Sequence, residues 1–172
     1  MIAISRRRSA GAISAYKGGI SSMTSAPLTN NRIMQIGVVV KNIEDAVQAW
    51  SLLLGVAPPE IIITDPLELT HAEYKHQPTP ARAKLAFFKL GQLDLELIEP
   101  IGGPSTWRDQ LDGHGPSLHH IAFEVKGMAD HIAKLTDHGL PLMQRGEYSG
   151  GRYAYMDGQD RMGAVVELLE ND

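Results

Sequence analysis

The chain repeats itself. Gln35-Ile-Gly-Val-Val-Val-Lys41 aligns with His120-Ile-Ala-Phe-Glu-Val-Lys126 at an offset of 85 residues. Leu95-Glu-Leu-Ile-Glu99 aligns with Val166-Glu-Leu-Leu-Glu170 at an offset of 71. An internal repeat restricts the fold strongly, because each copy must form the same small unit and bury its apolar face against the other. The offsets differ by 14, which a longer loop after residue 64 in the first copy absorbs.

The local patterns agree with this. Residues 33–40 are short, β-branched and apolar, and predict a strand. Asn42 is placed to cap a helix whose buried face is Ala46, Val47, Trp50, Leu53 and Leu54. Gly55 and Pro58-Pro59 end it. Ile61-Ile62-Ile63 predicts a short strand, and the polar, proline-containing residues 65–82 a long loop or irregular strand. Residues 83–89 and 93–98 form a hairpin about Gly91-Gln92. Residues 100–116 read as a linker with one helical turn around Trp107. The pattern then restarts: a strand over 118–125, a helix over 128–138 ended by Gly139, a short strand over 140–143, and a hairpin over 151–156 and 164–169. The result is an α+β fold of two βαβββ modules, about 33–100 and 117–170. Each is too small to bury much core alone, so together they make one domain, 31–172, with one cupped mixed sheet.

Composition removes whole classes of function. The 172 residues contain no cysteine, which excludes disulfides, thiolate zinc sites, Fe–S clusters and thiol nucleophiles. A net charge of −4 and a pI near 6.0 point away from nucleic acid. No apolar run approaches the roughly 20 residues of a membrane-spanning helix. Residues 1–30 hold Arg6, Arg7, Arg8 and Lys17 and no acid, so the rest of the chain carries −8. That segment reads as a disordered tail, with Met23 as an alternative start, or as an organelle leader. A tail implies a cytoplasmic protein, a leader the mitochondrial matrix.

The polar residues on the strands carry the chemistry. With a period of two, Leu93, Leu95 and Leu97 share one face of their strand, and Asp94, Glu96 and Ile98 the other. Val165, Glu167 and Leu169 oppose Ala164, Val166 and Leu168. Gln35 and His120 lie opposite the apolar faces Ile36/Val38/Val40 and Ile121/Phe123/Val125. One face of each module must take its helix, so Gln35, Glu96, His120 and Glu167 share the other and converge if the sheet curves. Read singly, His120 is a core histidine, the glutamates half-solvated carboxylates and Gln35 a satisfied amide. Read together at matched repeat positions, they make a site for one divalent ion (Zn, Co, Ni, Mn or Mg) with open positions.

The stretches "QIGVVVKNIEDAVQAW…LLGV", "LDLELIEP", "GPSLHHIAFEV" and "GAVVELLE" resemble the vicinal oxygen chelate, or glyoxalase/bleomycin-resistance, superfamily. The resemblance spans about residues 33–170 and is nearest in style to methylmalonyl-CoA epimerase and glyoxalase-like proteins. It implies a cupped sheet around one metal held by Gln35, Glu96, His120 and Glu167. It also implies a small-molecule substrate such as an acyl thioester, allows a homodimer, and implies isomerase, epimerase or lyase chemistry that removes a proton α to a carbonyl. Glu167 is then a ligand that doubles as base, and Glu73 resembles an acidic residue that epimerases place in this stretch. Epimerases of this type start the first strand with His where Gln35 stands. Some lactoylglutathione lyases carry Gln there, but with arginines where Val39 and Pro116 stand. That argues against a glutathione thioester. The alternatives are a metal-free protein that sequesters a small molecule, of the bleomycin-resistance type, or a lactoylglutathione lyase despite those two departures. Strand alternation points His119 away from His120, as packing or support. Trp107, Met143, Tyr153, Tyr155 and Met156 either wall the cup or are ordinary core, and Arg82, Lys84, Arg145 and Arg152 either meet an anion or are solvated surface.

Overall fold

The computed structural model describes residues 26–172. The first module contains β1 (Ile33–Val39), α1 (Ile43–Leu54), β2 (Ile61–Ile63), α2 (Leu67–Thr70), β3 (Glu73–Tyr74), β4 (Gln77–Pro78), β5 (Ala81–Lys89) and β6 (Asp94–Gly102). After α3 (Thr106–His114) the second contains β7 (Ser117–Glu124), α4 (Met128–Asp137), β8 (Leu142–Tyr148), β9 (Gly151–Met156), α5 (Gln159–Met162) and β10 (Val165–Asn171). All ten strands form one mixed sheet in the order β2-β5-β6-β1-β7-β10-β9-β8-β3-β4. The modules meet where β1 runs antiparallel to β7. Each of these seam strands pairs in parallel with the last strand of its own module, β6 or β10.

The convex face carries the two helices. Asn42 caps α1 by accepting from the Asp45 amide at 2.7 Å, and Gly55 ends it in the left-handed region at φ 68°. The helix buries Ile43 and Val47 on Leu95 and Leu97, with Ala46, Trp50 and Leu54 at the margin. Leu53, expected on the buried face, is solvent-exposed. The apolar stripe is centred on Ile43, Val47 and Leu54, and Leu53 is rotated off it by one residue. In the second module Met128 and Leu135 of α4 pack on Ala154, Met156, Val166 and Leu168. Met156 is therefore convex core and does not wall the cup.

Two segments are more ordered than the sequence indicates. Residues 64–80 do not simply loop. They leave β2 at one edge of the sheet and reach the opposite edge, where Glu73 and Tyr74 pair with Arg145 and Gln144 of β8. The Lys75 amide donates to the Met143 carbonyl at 2.8 Å, and the Tyr74 hydroxyl donates to Asp109. The linker holds a full nine-residue helix, α3, not a single turn. Ser105 caps it, accepting from the Arg108 amide at 3.1 Å. Buried Gln144 accepts from the Thr106 amide at 2.8 Å and donates to the Tyr153 hydroxyl at 3.1 Å. These partners satisfy helix-end donors that local hydrophobic pattern cannot signal.

Residues 1–25, most of the tail or leader segment, lie outside the described residues. The folded part begins before residue 31: Leu28 packs on the convex core of the second module, and the Asn30 side-chain amide donates to the Glu124 carbonyl at 2.6 Å. Among the described residues no helix is long and apolar enough to cross a membrane. Leu28→Ala should therefore cost about 1 kcal/mol, less than a fully buried leucine. Thermal unfolding should show it as a drop of roughly 2–4 °C.

Candidate metal centre

The concave face holds two things, an apolar plug and a charged cluster. Trp107 of α3 is buried against Val39, Ile98, Tyr155 and Val165, with Met143 and Tyr153 beside them. Its indole N–H donates to the Tyr155 hydroxyl at 3.1 Å. Of the five residues left between cup wall and ordinary core, Trp107, Met143, Tyr153 and Tyr155 lie on this face.

Beside the plug, Glu96, His120 and Glu167 each direct a ligand atom to one place, all within 4.8 Å of one another. His120 Nε2 is 3.0 Å from Glu167 Oε2 and 3.4 Å from Glu96 Oε2. All three atoms are buried, and none has a hydrogen-bond partner of acceptable geometry. Their residues are 0%, 4% and 6% exposed for His120, Glu167 and Glu96. Two buried carboxylates facing one imidazole leave charge that costs several kcal/mol per ion unless something balances it. A divalent cation fits that need. Three oxygen and nitrogen donors turned to one place within 4.8 Å would hold such an ion between them. One imidazole nitrogen with carboxylate oxygens suits zinc, cobalt, nickel, manganese or magnesium and not a softer ion.

The register explains the convergence. Gly37 of β1 faces Glu96 on one side and His120 on the other. In the next row Ala122 lies between Gln35 and Glu167. The two central positions, Gly37 and Ala122, are small, and the His120 ring lies over the first. A Cβ on Gly37 would stand 2.1 Å from His120 Cε1. A glycine inside an apolar strand is the signal that could have located this close approach. Gln35 is buried and shares that row with Glu167, with β7 between their strands.

Electrostatics follow from the crowding. Burial alone would push the His120 imidazole down, but Glu167 and then Glu96 outweigh it and hold it at about 10. Burial raises the Glu96 carboxyl, with His120 opposing. Without a cation, His120 is thus an imidazolium between two acids.

His119 is not on the far face. Gly37 pairs with His120 and Val38 with Leu118, so β7 has one extra residue at this point. That bulge turns His119 onto the concave side. Its ring meets Tyr155 edge-on at 5.1 Å, and its Nδ1 is 3.0 Å from His120 Nδ1. Burial, then the neighbouring His120 charge, keep His119 well below the usual histidine range, although the Thr106 backbone favours a proton on the ring. Its Nε2 is buried with no hydrogen bond of full geometry.

Glu73 stands apart from the cluster. Arg145 forks onto its carboxylate at 2.8 and 3.0 Å and holds it below the usual carboxylate range. The cations considered for anion binding are also engaged: Arg82 with the Thr64 carbonyl, Lys84 with Glu44 and Glu99, and Arg152 with Glu170 and Asp172. Two surface grooves, of about 470 and 300 Å³, run past Asp65, Leu69 and Arg152 and past Glu73, Arg145 and Tyr153. Neither is lined by the three clustered residues.

Residues 34–155 match the family described as the glyoxalase/bleomycin resistance protein/dioxygenase superfamily. The chain belongs to that superfamily. It is 31% identical over 145 residues to an uncharacterized protein, YqjC, of Bacillus subtilis (strain 168), covering 81% of this chain and 92% of that one. Its fold is similar to methylmalonyl-CoA epimerase from Mycobacterium tuberculosis, with TM-score 0.57 and 19% identity over 88% of this chain and 93% of that one. It is also similar to a methylmalonyl-CoA epimerase solved with methylmalonyl-CoA and NH4+, with TM-score 0.57 and 23% identity over 81% of this chain and 94% of that one.

Two outcomes follow. Gly37→Ala should displace the His120 ring and weaken divalent-ion binding by about 100-fold or more, read by chelator competition. The same change in an unstrained strand would be neutral or slightly stabilising. A cation at Nε2 must also expel the proton that His120 otherwise keeps up to about pH 10. Binding should therefore tighten about tenfold per pH unit from roughly pH 6 to 9 and weaken as pH falls. Calorimetry in buffers of different ionisation enthalpy should count about one proton released per ion.

Proposed function

We propose that this protein is a metal-dependent enzyme that removes a proton α to a carbonyl, as in an epimerase acting on an acyl thioester. The observation that carries this reading is the convergence of three unpartnered, buried ligand atoms from Glu96, His120 and Glu167 on the concave face. A protein that only sequesters an apolar molecule has no use for two buried carboxylates there. Superfamily membership and the likeness in fold to methylmalonyl-CoA epimerases support the same class. A cytoplasmic setting, and pairing of two copies, are part of the same proposal.

The ion's holders would be Glu96, His120 and Glu167, with Gln35 as a fourth donor. When bound, it would supply positive charge beside the carbonyl oxygen as the α-proton leaves. The protein's own residues do the rest. Glu96 and His120 stay fixed, since both lie on strands paired on either side of β1. Glu167, on β10, with its Oε2 3.0 Å from His120 Nε2, is the carboxylate that would take the proton. Trp107 and Tyr155 pack beside the cluster and would exclude water from that side of it. Glu73 is the weaker base, because its Arg145 partner stabilises the ionised carboxylate.

The test is deuterium uptake from D₂O into methylmalonyl-CoA, then into other 2-substituted acyl thioesters, by protein loaded with each candidate metal. Glu167→Gln should keep most of the metal and lose about 10²–10⁴-fold in exchange rate, the usual worth of a positioned base. His120→Ala should lose metal and exchange together. Wild-type protein that takes up none of the five metals would belong to the sequestering class. Exchange that survives Glu167→Gln would move the base to another residue.

A further inference from the structure

We propose that His119 is a positioning residue for the metal centre: it accepts a hydrogen bond from His120 Nδ1, and so fixes which nitrogen of His120 faces the two carboxylates. The inference rests on the metal-site reading above and adds to it the group that orients the histidine ligand.

The argument begins with the two nitrogens of His120. Nε2 is the atom turned to Glu96 and Glu167. As a ligand it must offer its lone pair, so the remaining ring proton belongs on Nδ1. That nitrogen is fully buried and needs an acceptor. Within hydrogen-bond range it has His119 Nδ1, at 3.0 Å. Acceptance there puts the His119 proton on Nε2, a buried atom that no other protein group satisfies among the described residues. A histidine ligand whose second nitrogen is tied in this way is locked in one tautomer and one ring orientation.

Two features place His119 where it can do this. The bulge gives β7 an extra residue opposite Gly37 and Val38, so adjacent side chains share the concave face. The His119 ring is then held by edge-on contact with Tyr155 at 5.1 Å, and Tyr155 is held by Trp107. A buried imidazole next to a ligand is an uncommon filler for an apolar plug, since its polar atoms cost free energy there unless they are used.

The experiment compares His119→Phe with His119→Asn. Phenylalanine keeps the ring volume and removes the acceptor. Asparagine loses volume but sets its Oδ1 near the position of Nδ1. Zinc affinity is measured by chelator competition, and the cobalt-substituted protein by its visible absorption. His119→Phe should bind zinc about 10–100-fold more weakly, with a changed cobalt spectrum. His119→Asn should return affinity and spectrum close to wild type. Long-range ¹H–¹⁵N correlation on zinc-loaded wild type should show the His119 proton on Nε2 and the His120 proton on Nδ1, a readout that needs no variant to fold. Wild-type affinity in His119→Phe, equal loss in both variants, or a His119 proton on Nδ1 overturns the proposal while the metal-site reading stands. Failure of the wild type to bind any divalent ion overturns both, and is recognised without the variants.

Discussion

The seam between β1 and β7 is the interaction on which everything else depends. It is a single antiparallel pairing of two repeat-equivalent strands, and it joins two modules that each lack a full core. Because both seam strands pair in parallel with the last strand of their own module, the seam also brings β6 and β10 to either side of one pair of strands. Glu96 arrives from one, Glu167 from the other, and His120 from the seam itself. Few other joints between the copies would bring these side chains within 4.8 Å.

The seam works only because its centre is small. Gly37 leaves the space that the His120 ring fills, and Ala122 keeps the neighbouring row low between Gln35 and Glu167. In the other copy the residue aligned with Gly37 is Ala122 itself, so the repeat keeps a small residue at both places. The remainder of the concave face is closed by α3, whose Trp107 and Leu111 pack one turn apart toward the sheet. Gln144 ties the first residue of that helix to β8. The segment that reaches β8 from β2 binds the same region from the other side, through Lys75 on Met143 and Tyr74 on Asp109. The charged cluster is thus surrounded by structure from both modules. That surrounding apolar packing is what makes its electrostatics strong: the same two carboxylates on an open strand would be ordinary solvated charges.

Much of this was readable from residues alone. The repeat placed the modules, and the period of two assigned each strand's faces: Leu95 and Leu97 under α1, Val166 and Leu168 under α4, Glu96 and Glu167 opposite them. Both are local properties, set by side-chain direction along one strand. The surplus of Leu53 on the predicted helix face was an error of the same local kind, by one residue in rotation, whereas Met156, open between cup wall and core, resolved as core. Residues 65–82 and 100–116 were harder. Their elements are short and polar, and their order comes from partners dozens of residues away, Arg145 for Glu73 and Gln144 for Thr106.

The sequence by itself therefore determined the two βαβββ units, the faces of their strands, and the four residues proposed to meet a cation. Those follow from the alternation of side chains and from matched positions in two copies. Only the tertiary structure decided which face His119 occupies, because a bulge is a mismatch in count between two strands and neither strand carries it alone. It likewise decided that Glu73 is held by Arg145 at the rim, away from the cluster, since that pairing arises from a segment of one module reaching the edge of the other. And it decided that Gly37 is the floor beneath His120, a contact across the seam between residues 83 apart in the chain that no single strand could express.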